Sequence, residues 1–347
     1  MLKFKGMKTT KTVAVLAVFI LAQALTLCAQ APAAKPAAKK QAPAAAKPAP
    51  KTAAPAAPQD PLEAAKVKLK SKDASERRQG ADMIGQSRNP KGAQALMGAL
   101  SDDSPRVRQA AADALGLLSW REASPKLSEL LLKDKDASVR QQAAISLSLI
   151  MDQGAGPSLA KALGDSEPSV RYAALHTISV LKYAPAEEQV RELLDSGDST
   201  LRRSAIAALG QLQSKKSGPA IVAALKDADP LVTAEAIRAI GVIPYAEGAA
   251  ELVKILDAGR QPALRMEAAL ALSKLGRNDG LLTAYEFLKS PELSIRSQAM
   301  TVVGDVGDAR SLQLIEEMYV AEQDPANKSM LDFTRQRLQA RLKTATK

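Results

Sequence analysis

One cysteine and one histidine are all this chain offers of two residue types on which much protein chemistry depends. Cys28 alone excludes an intramolecular disulfide and a multi-cysteine metal site. His176 alone excludes a multi-histidine metal centre and most histidine-based acid–base arrangements. The sequence also lacks a G-x-x-x-x-G-K-[ST] phosphate loop and a nucleophile elbow. Aromatic residues are scarce, with one tryptophan, five tyrosines and four phenylalanines. These absences point away from an enzyme, with no metal and no cofactor expected.

Charge is present, but unevenly placed. Nine lysines against Asp60 put +8 of the +11 net charge into residues 1–60, which leaves +3 for residues 61–347. The basic balance therefore belongs to the start of the chain, and a nucleic-acid partner, which needs cations clustered on a folded surface, is not expected. Residues 1–11 carry Lys3, Lys5, Lys8 and Lys11 and no acid, and residues 12–29 carry no charge. This is the pattern of a secretory signal peptide over 1–29, with Ala29/Gln30 as the expected cleavage point. The apolar run also approaches spanning length, so an uncleaved anchor stays open. Leu25-Thr26-Leu27-Cys28 resembles a bacterial lipoprotein box except at Leu27, where that pattern wants a small residue, so lipidation of Cys28 stays open as well. Either route would be the only membrane attachment. Residues 30–60 turn to alanine, proline and lysine, a composition that builds no packed core and reads as an extended, disordered tether.

What the rest of the chain has is a repeat. Stepping by 31 or 32 residues from Arg77 gives Arg108, Arg140, Arg171, Arg202, Thr233, Arg265 and Arg296. A fixed period in this range signals a stacked-repeat solenoid. With each marker as zero, offset −1 is Val107, Val139, Val170, Leu201, Val232, Leu264 or Ile295 after Glu76 in the first unit. Offset +3 is alanine in every unit but the first, and +7 runs Ile84, Leu115, Leu147, Ile178, Leu209, Ile240, Leu272 and Val303. Offsets −1, +3 and +7 share one stripe of an α-helix, so each unit holds an amphipathic marker helix. Offset +8 is always glycine or serine, which argues for close approach of a neighbouring helix. Asp73, Ser104, Asp136, Asp198 and Asp229 at −4, with Pro105, Pro168, Pro230 and Pro262 at −3, mark the helix starts. A second helix is read from Leu96 with Leu100, Leu127 with Leu131, and Leu252 with Leu256. The expectation is an all-α, right-handed α-solenoid of about eight two-helix repeats over 61–347. A C-terminal cap begins at about 320, with one longer helix from Asp324 to Lys343.

The run Asp102 to Gly116, with near copies Asp165 to Ser179 and Asp227 to Gly241, resembles the HEAT-repeat family, specifically its short phycobilisome-lyase-type repeats. The resemblance covers residues 61–319. It implies that the marker helices line the concave side and that turn aspartates and helix arginines form a ladder along the stack. The pairs it implies are six residues apart: Asp102/Arg108, Asp134/Arg140 and Asp165/Arg171. Arg171 is thus expected to be a rung, and Arg203, one residue past its own marker, to be exposed. Ser71, Ser196, Gly259 and Ser290 interrupt the aspartate row. HEAT-like enzymes enter as precedents: deoxyhypusine hydroxylases need His-Glu pairs, which Leu175-His176-Thr177 does not supply. DNA glycosylases fit poorly with export and a nearly balanced fold, and bilin lyases would seldom meet their substrates outside the cytoplasm.

Two surfaces stand out as candidates. If −1, +3 and +7 are buried, +1 and +5 face the concavity, and there the middle units place Gln141, Ile145, Tyr172, His176, Arg203 and Arg238. An aromatic and apolar centre rimmed by arginine and polar groups suits a protein-binding hot spot. Trp120, Tyr183 and Tyr245 share offset +12 in alternate units and form a second candidate edge. The expected function is an exported, monomeric scaffold of the bacterial cell envelope or periplasm that binds a protein or peptide segment. The alternative is a lyase-like or substrate-handling accessory protein that holds a ligand in the concave groove.

Overall fold

The computed structural model describes residues 60–345 except 244 and 258, so the leader, the tether and Cys28 lie outside the described residues. The described part is helical. It begins with α1 (Pro61–Leu69), α2 (Ala74–Ser87), α3 (Ala93–Ala99), α4 (Pro105–Leu117), α5 (Ser124–Lys133) and α6 (Ala137–Ile150). Then come α7 (Gly156–Ala162), α8 (Pro168–Leu181), α9 (Glu187–Glu192), α10 (Ser199–Gln211), α11 (Gly218–Ala223) and α12 (Pro230–Ile240). The last are α13 (Ala246–Ile255), α14 (Pro262–Lys274), α15 (Leu281–Phe287), α16 (Leu293–Val306), α17 (Ala309–Ala321) and α18 (Pro325–Ala345). Even numbers from α2 to α16 are the eight marker helices, and each odd helix from α1 to α15 precedes one of them. Among the described residues no helix is long and apolar enough to cross a membrane.

Local chemistry starts and stops these helices. Asp73, Asp136, Asp198 and Asp229 accept backbone N–H groups at the starts of α2, α6, α10 and α12. Ser104, Glu167, Gln261 and Glu292 occupy the same position without a side-chain cap bond. At offset +11 the chain turns left-handed, with φ between 50° and 58° at Arg88, Ser119, Met151, Lys182 and Gln213, and 74° at Gly276. Only glycine adopts that conformation without a steric cost, so five units accept strain to reverse into the next helix.

The expected stripe is the buried one: Val107, Ala111 and Leu115 in α4, and Val139, Ala143 and Leu147 in α6, are fully buried. Marker helices pack against one another far more densely than the odd helices do. The +8 residue is the reason. A Cβ on Gly116 would lie 3.0 Å from Cα of Ser146, and one on Gly241 would lie 2.8 Å from Cα of Ala271. In both cases offset +8 meets offset +6 of the next unit.

The C-terminus departs from a plain cap. Lys328 follows Arg296 by one repeat length, and its Nζ donates to the Glu322 carbonyl (3.3 Å), six residues back, as the marker arginines do to theirs. Leu331, at +3, and Leu338 are buried. With α17, α18 therefore follows the pattern of a ninth unit, its second helix 21 residues long.

The core is not continuous. One buried cluster runs from Leu62 to Leu272 and a second from Met266 to Leu338. They divide α14 between them, with Ala268, Ala271 and Leu272 in the first and Met266 and Ala269 in the second. Solenoid stability is a sum of unit and interface contributions, so a divided core should open in two steps. Native-state hydrogen exchange is expected to show α15 to α18 opening together at a lower free energy than α4 to α10. Uniform protection across α14 would contradict this.

Candidate interaction surface

The ladder is real, but its register differs from the expected one. Arg108 donates Nε and Nη2 to the two carboxylate oxygens of Asp134 (2.7 Å each), 26 residues on, in the next unit. The residue six back, Asp102, contributes its backbone carbonyl to Nη1 (2.9 Å) instead. Arg77 grips Asp102, Arg140 grips Asp165 and Arg202 grips Asp227 in the same bidentate way, at 2.7–2.8 Å. Bidentate pairing of this kind is both strong and directional. The hydrogen bonds from Arg77, Arg140 and Arg202 hold the carboxyls of Asp102, Asp165 and Asp227 below the ordinary carboxylate range. At Asp134 burial pushes the other way, and Arg108 with the Asp136 N–H outweighs it.

Where the aspartate row breaks, the arginines change partners. Ser196 stands at the aspartate position of the next unit, and Arg171 bonds the carbonyls of Asp165 (2.8 Å) and Ser166 (3.1 Å), so it is not the carboxylate-bound rung expected of it. The cross-unit bond there passes to Tyr172, whose hydroxyl donates to Asp198 Oδ2 (2.5 Å). Burial, then Asp198, pushes the Tyr172 phenol up. Arg265 turns to the Leu256 carbonyl (2.9 Å) and Glu286 (2.7 Å), and Arg296 to Asn327 (3.2 Å). Among the described residues no arginine–aspartate rung joins the sixth and seventh units, where Thr233 and Gly259 stand.

The marker-helix face also turns out rotated from the expected one. Its outward stripe is +5 and +9, and +1 and +2 lie at its margins: at +1 Gln109, Gln141, Tyr172 and Arg203 are half-buried and Met266 is buried, and at +2 Ala110 and Ala173 are buried. Of the six nominated residues, all on four adjacent marker helices, His176 is exposed and Ile145 is half-buried against the core. Arg203 is half-buried rather than exposed. Tyr172 is tied to Asp198, and Arg238 is held between Glu235 (2.7 Å) and Glu267 (3.4 Å). Offset +9, which was not nominated, carries the exposed apolar side chains Leu117 (41%), Leu149 (43%) and Val242 (43%), with Val180 half-buried. The signal was available, since four apolar residues at +9 add nothing to a stripe already complete at −1, +3 and +7. A hollow of about 440 Å³ lies farther along this face, lined by Ala207, Gly210, Glu235, Arg238 and Val242 among others.

The aromatic edge serves packing. A Cβ on Gly156 would lie 2.3 Å from the Tyr183 ring, and one on Gly218 would lie 2.7 Å from the Tyr245 ring. Each ring thus covers the start of the odd helix that directly precedes its own marker helix, and Trp120 likewise packs half-buried against the core. In intervening units, offset +12 holds side-chain caps: Asn89 for Lys91 N–H (3.1 Å), Asp152 for Gly154 N–H (3.0 Å) and Asp308 for Ser311 N–H (2.9 Å). Among the described residues no group of three or more His, Cys, Asp and Glu is placed to hold a metal ion.

A family model described as HEAT repeats matches residues 62–148, 124–210, 156–241, 186–259, 218–282 and 249–330. Among solved structures the chain is similar to the complex of CpcE and CpcF of phycocyanin lyase from Nostoc sp. PCC7120, at 25% identity and a TM-score of 0.41, covering 75% of this chain and 98% of that one. It is similar to YibA of E. coli at 21% identity and a TM-score of 0.53, covering 78% of this chain and 99% of that one. A chain of the AP-3 complex is 17% identical with a TM-score of 0.55, over 76% of this chain and 54% of that one. The last two likenesses concern the fold alone. No curated protein sequence matches.

Proposed function

The chain belongs to the HEAT-repeat family, and from that premise we propose that it is a binding scaffold rather than an enzyme, holding a protein segment against the outward face of its marker helices. The observation that carries the reading is the apolar row at +9. Leu117 and Leu149 stay more than two-fifths exposed on helices whose other faces are packed, and Ile145 and His176 lie beside them at +5. Contiguous exposed apolar side chains rimmed by polar groups mark interaction surfaces more often than solvated ones. The finer parts of the reading are export by the lysine-led leader, a tether of alanine, proline and lysine, and a place in the cell envelope. They rest on the sequence of residues 1–60.

Tyr172 and Arg238 report poorly on binding, because changing either breaks a contact within the fold. Leu149→Glu together with His176→Glu alters only the outward face. This double variant should lose the protein that co-purifies with the wild-type chain from envelope extract, with an unchanged helical circular-dichroism spectrum. Equal retention of the partner by the two proteins would remove this face from consideration.

A further inference from the structure

The exposed row ends abruptly. Offset +9 is Leu117, Leu149 and Val180 in units two to four, then Gln211 in unit five. At its start stands Asp113, at +5 of α4, one helical turn from Leu117. Asp113 is half-buried, and its one side-chain partner among the described residues is Gln142, whose Nε2 donates to Oδ1 (2.9 Å). Asp82, the neighbouring acid at the same offset, is answered by Arg78 (3.6 Å), whereas Asp113 has no basic partner. Burial, and then the charge of Asp82, raise the Asp113 carboxyl, as expected of a carboxylate lacking a cation.

We propose that units two to four take a segment in left-handed extended form with an apolar side chain at every third position, led by a lysine or arginine that pairs with Asp113. This rests on the scaffold reading and names what the scaffold holds. Charge supplies the first argument: a half-buried carboxylate beside an apolar row favours a ligand that brings one cation and otherwise apolar groups. Spacing supplies the second. Marker helices in contact through glycine, alanine and serine lie at the short end of the ~8–10 Å helix-packing range. A polyproline II segment advances ~9 Å in a turn of three residues, so every third side chain meets the next unit on the same side. An α-helix covers that distance in about six residues, which leaves the side chain rotated far off the face. In a β-strand the third residue points to the opposite side.

The +9 side chains are also placed for such a ligand. Leu117 Cδ1 would lie 3.6 Å from a Cβ on Gly85, so the leucine leans over the seam toward the preceding helix, as Val242 does over Gly210. Ala110 and Ala173 at +2 are buried and add no side chain that stands above the row.

The test uses the full-length chain and two acetylated, fluorescein-labelled peptides, Lys-Leu-Pro-Pro-Leu-Pro-Pro-Leu and the same sequence led by Glu. Fluorescence anisotropy should show the lysine peptide binding about tenfold tighter than the glutamate peptide. Asp113→Asn, which keeps an acceptor for Gln142, should abolish that difference, and Leu149→Ser should weaken both peptides about tenfold. Equal binding of the two peptides to the wild-type chain would overturn the cation assignment and leave the scaffold reading intact. If neither peptide binds, or Leu149→Ser changes nothing, the proposed ligand class is wrong. If the natural partner is nevertheless lost from the Leu149→Glu, His176→Glu variant, the scaffold reading survives without it.

Discussion

Arg108→Ala should destabilise the solenoid by about 2–4 kcal/mol, because it strands a carboxylate that the fold has taken out of water. The Asp134 side chain is only 4% exposed and that of Arg108 15%, and two hydrogen bonds of 2.7 Å join them. Without the guanidinium, Asp134 keeps the N–H of Asp136 (2.9 Å) but loses its ion-pair partner. Arg171→Ala removes only bonds to the carbonyls of Asp165 and Ser166, so its loss should be smaller by at least ~1 kcal/mol. Urea unfolding at unchanged slope measures both, and equal midpoints would rule out a ladder that runs between units. The pH dependence has a definite sign. Asp134 titrates in the folded protein below the unfolded carboxylate value of ~3.9, so the rung contributes fully above that value and is lost as pH falls through the folded one. The gap between wild type and Arg108→Ala should therefore be wide at neutral pH and should close in acid.

Gly241→Leu should cost about 3 kcal/mol or more, by forcing α12 and α14 apart. Gly241 has φ −66°, so a side chain meets no backbone strain there and the effect is one of space alone. A Cβ would sit 2.8 Å from Cα and 2.9 Å from Cβ of Ala271, and leucine adds three carbons beyond it. Ile240 and Leu272, both buried next to this contact, would lose their packing. The site also adjoins the division of the core, so unfolding of this variant should separate into two transitions. Gly210 provides the control. A Cβ there meets Ala239 at 3.4 Å, an ordinary contact, so Gly210→Ala should be neutral or gain up to ~1 kcal/mol of helix propensity. Gly241→Ala should instead lose stability. If both alanine variants shift the midpoint in the same direction, close approach is not what keeps glycine at +8.

Much of this architecture could be read along the chain. The repeat length, the stripe at −1, +3 and +7, the small residue at +8 and the helix starts all follow from the geometry of a single helix, which a linear sequence displays directly. The residue types of the ladder were equally visible. Which aspartate each arginine holds was not. A guanidinium six residues from an aspartate in sequence can reach that residue's carbonyl, and only the stacking of units brings another carboxylate, 25 or 26 residues on, to its open edge. The same holds for Tyr172, whose hydroxyl bonds across units where Ser196 replaces the aspartate, and for Tyr183 and Tyr245 at +12, whose glycine partners lie 27 residues earlier. Periodicity shows which side of a helix is apolar, so the marker helices and their buried face were determined by the sequence. It does not show how far each helix is turned against the next, and only the tertiary structure placed +9 on the exposed face and +1 at its margin and divided the core at α14.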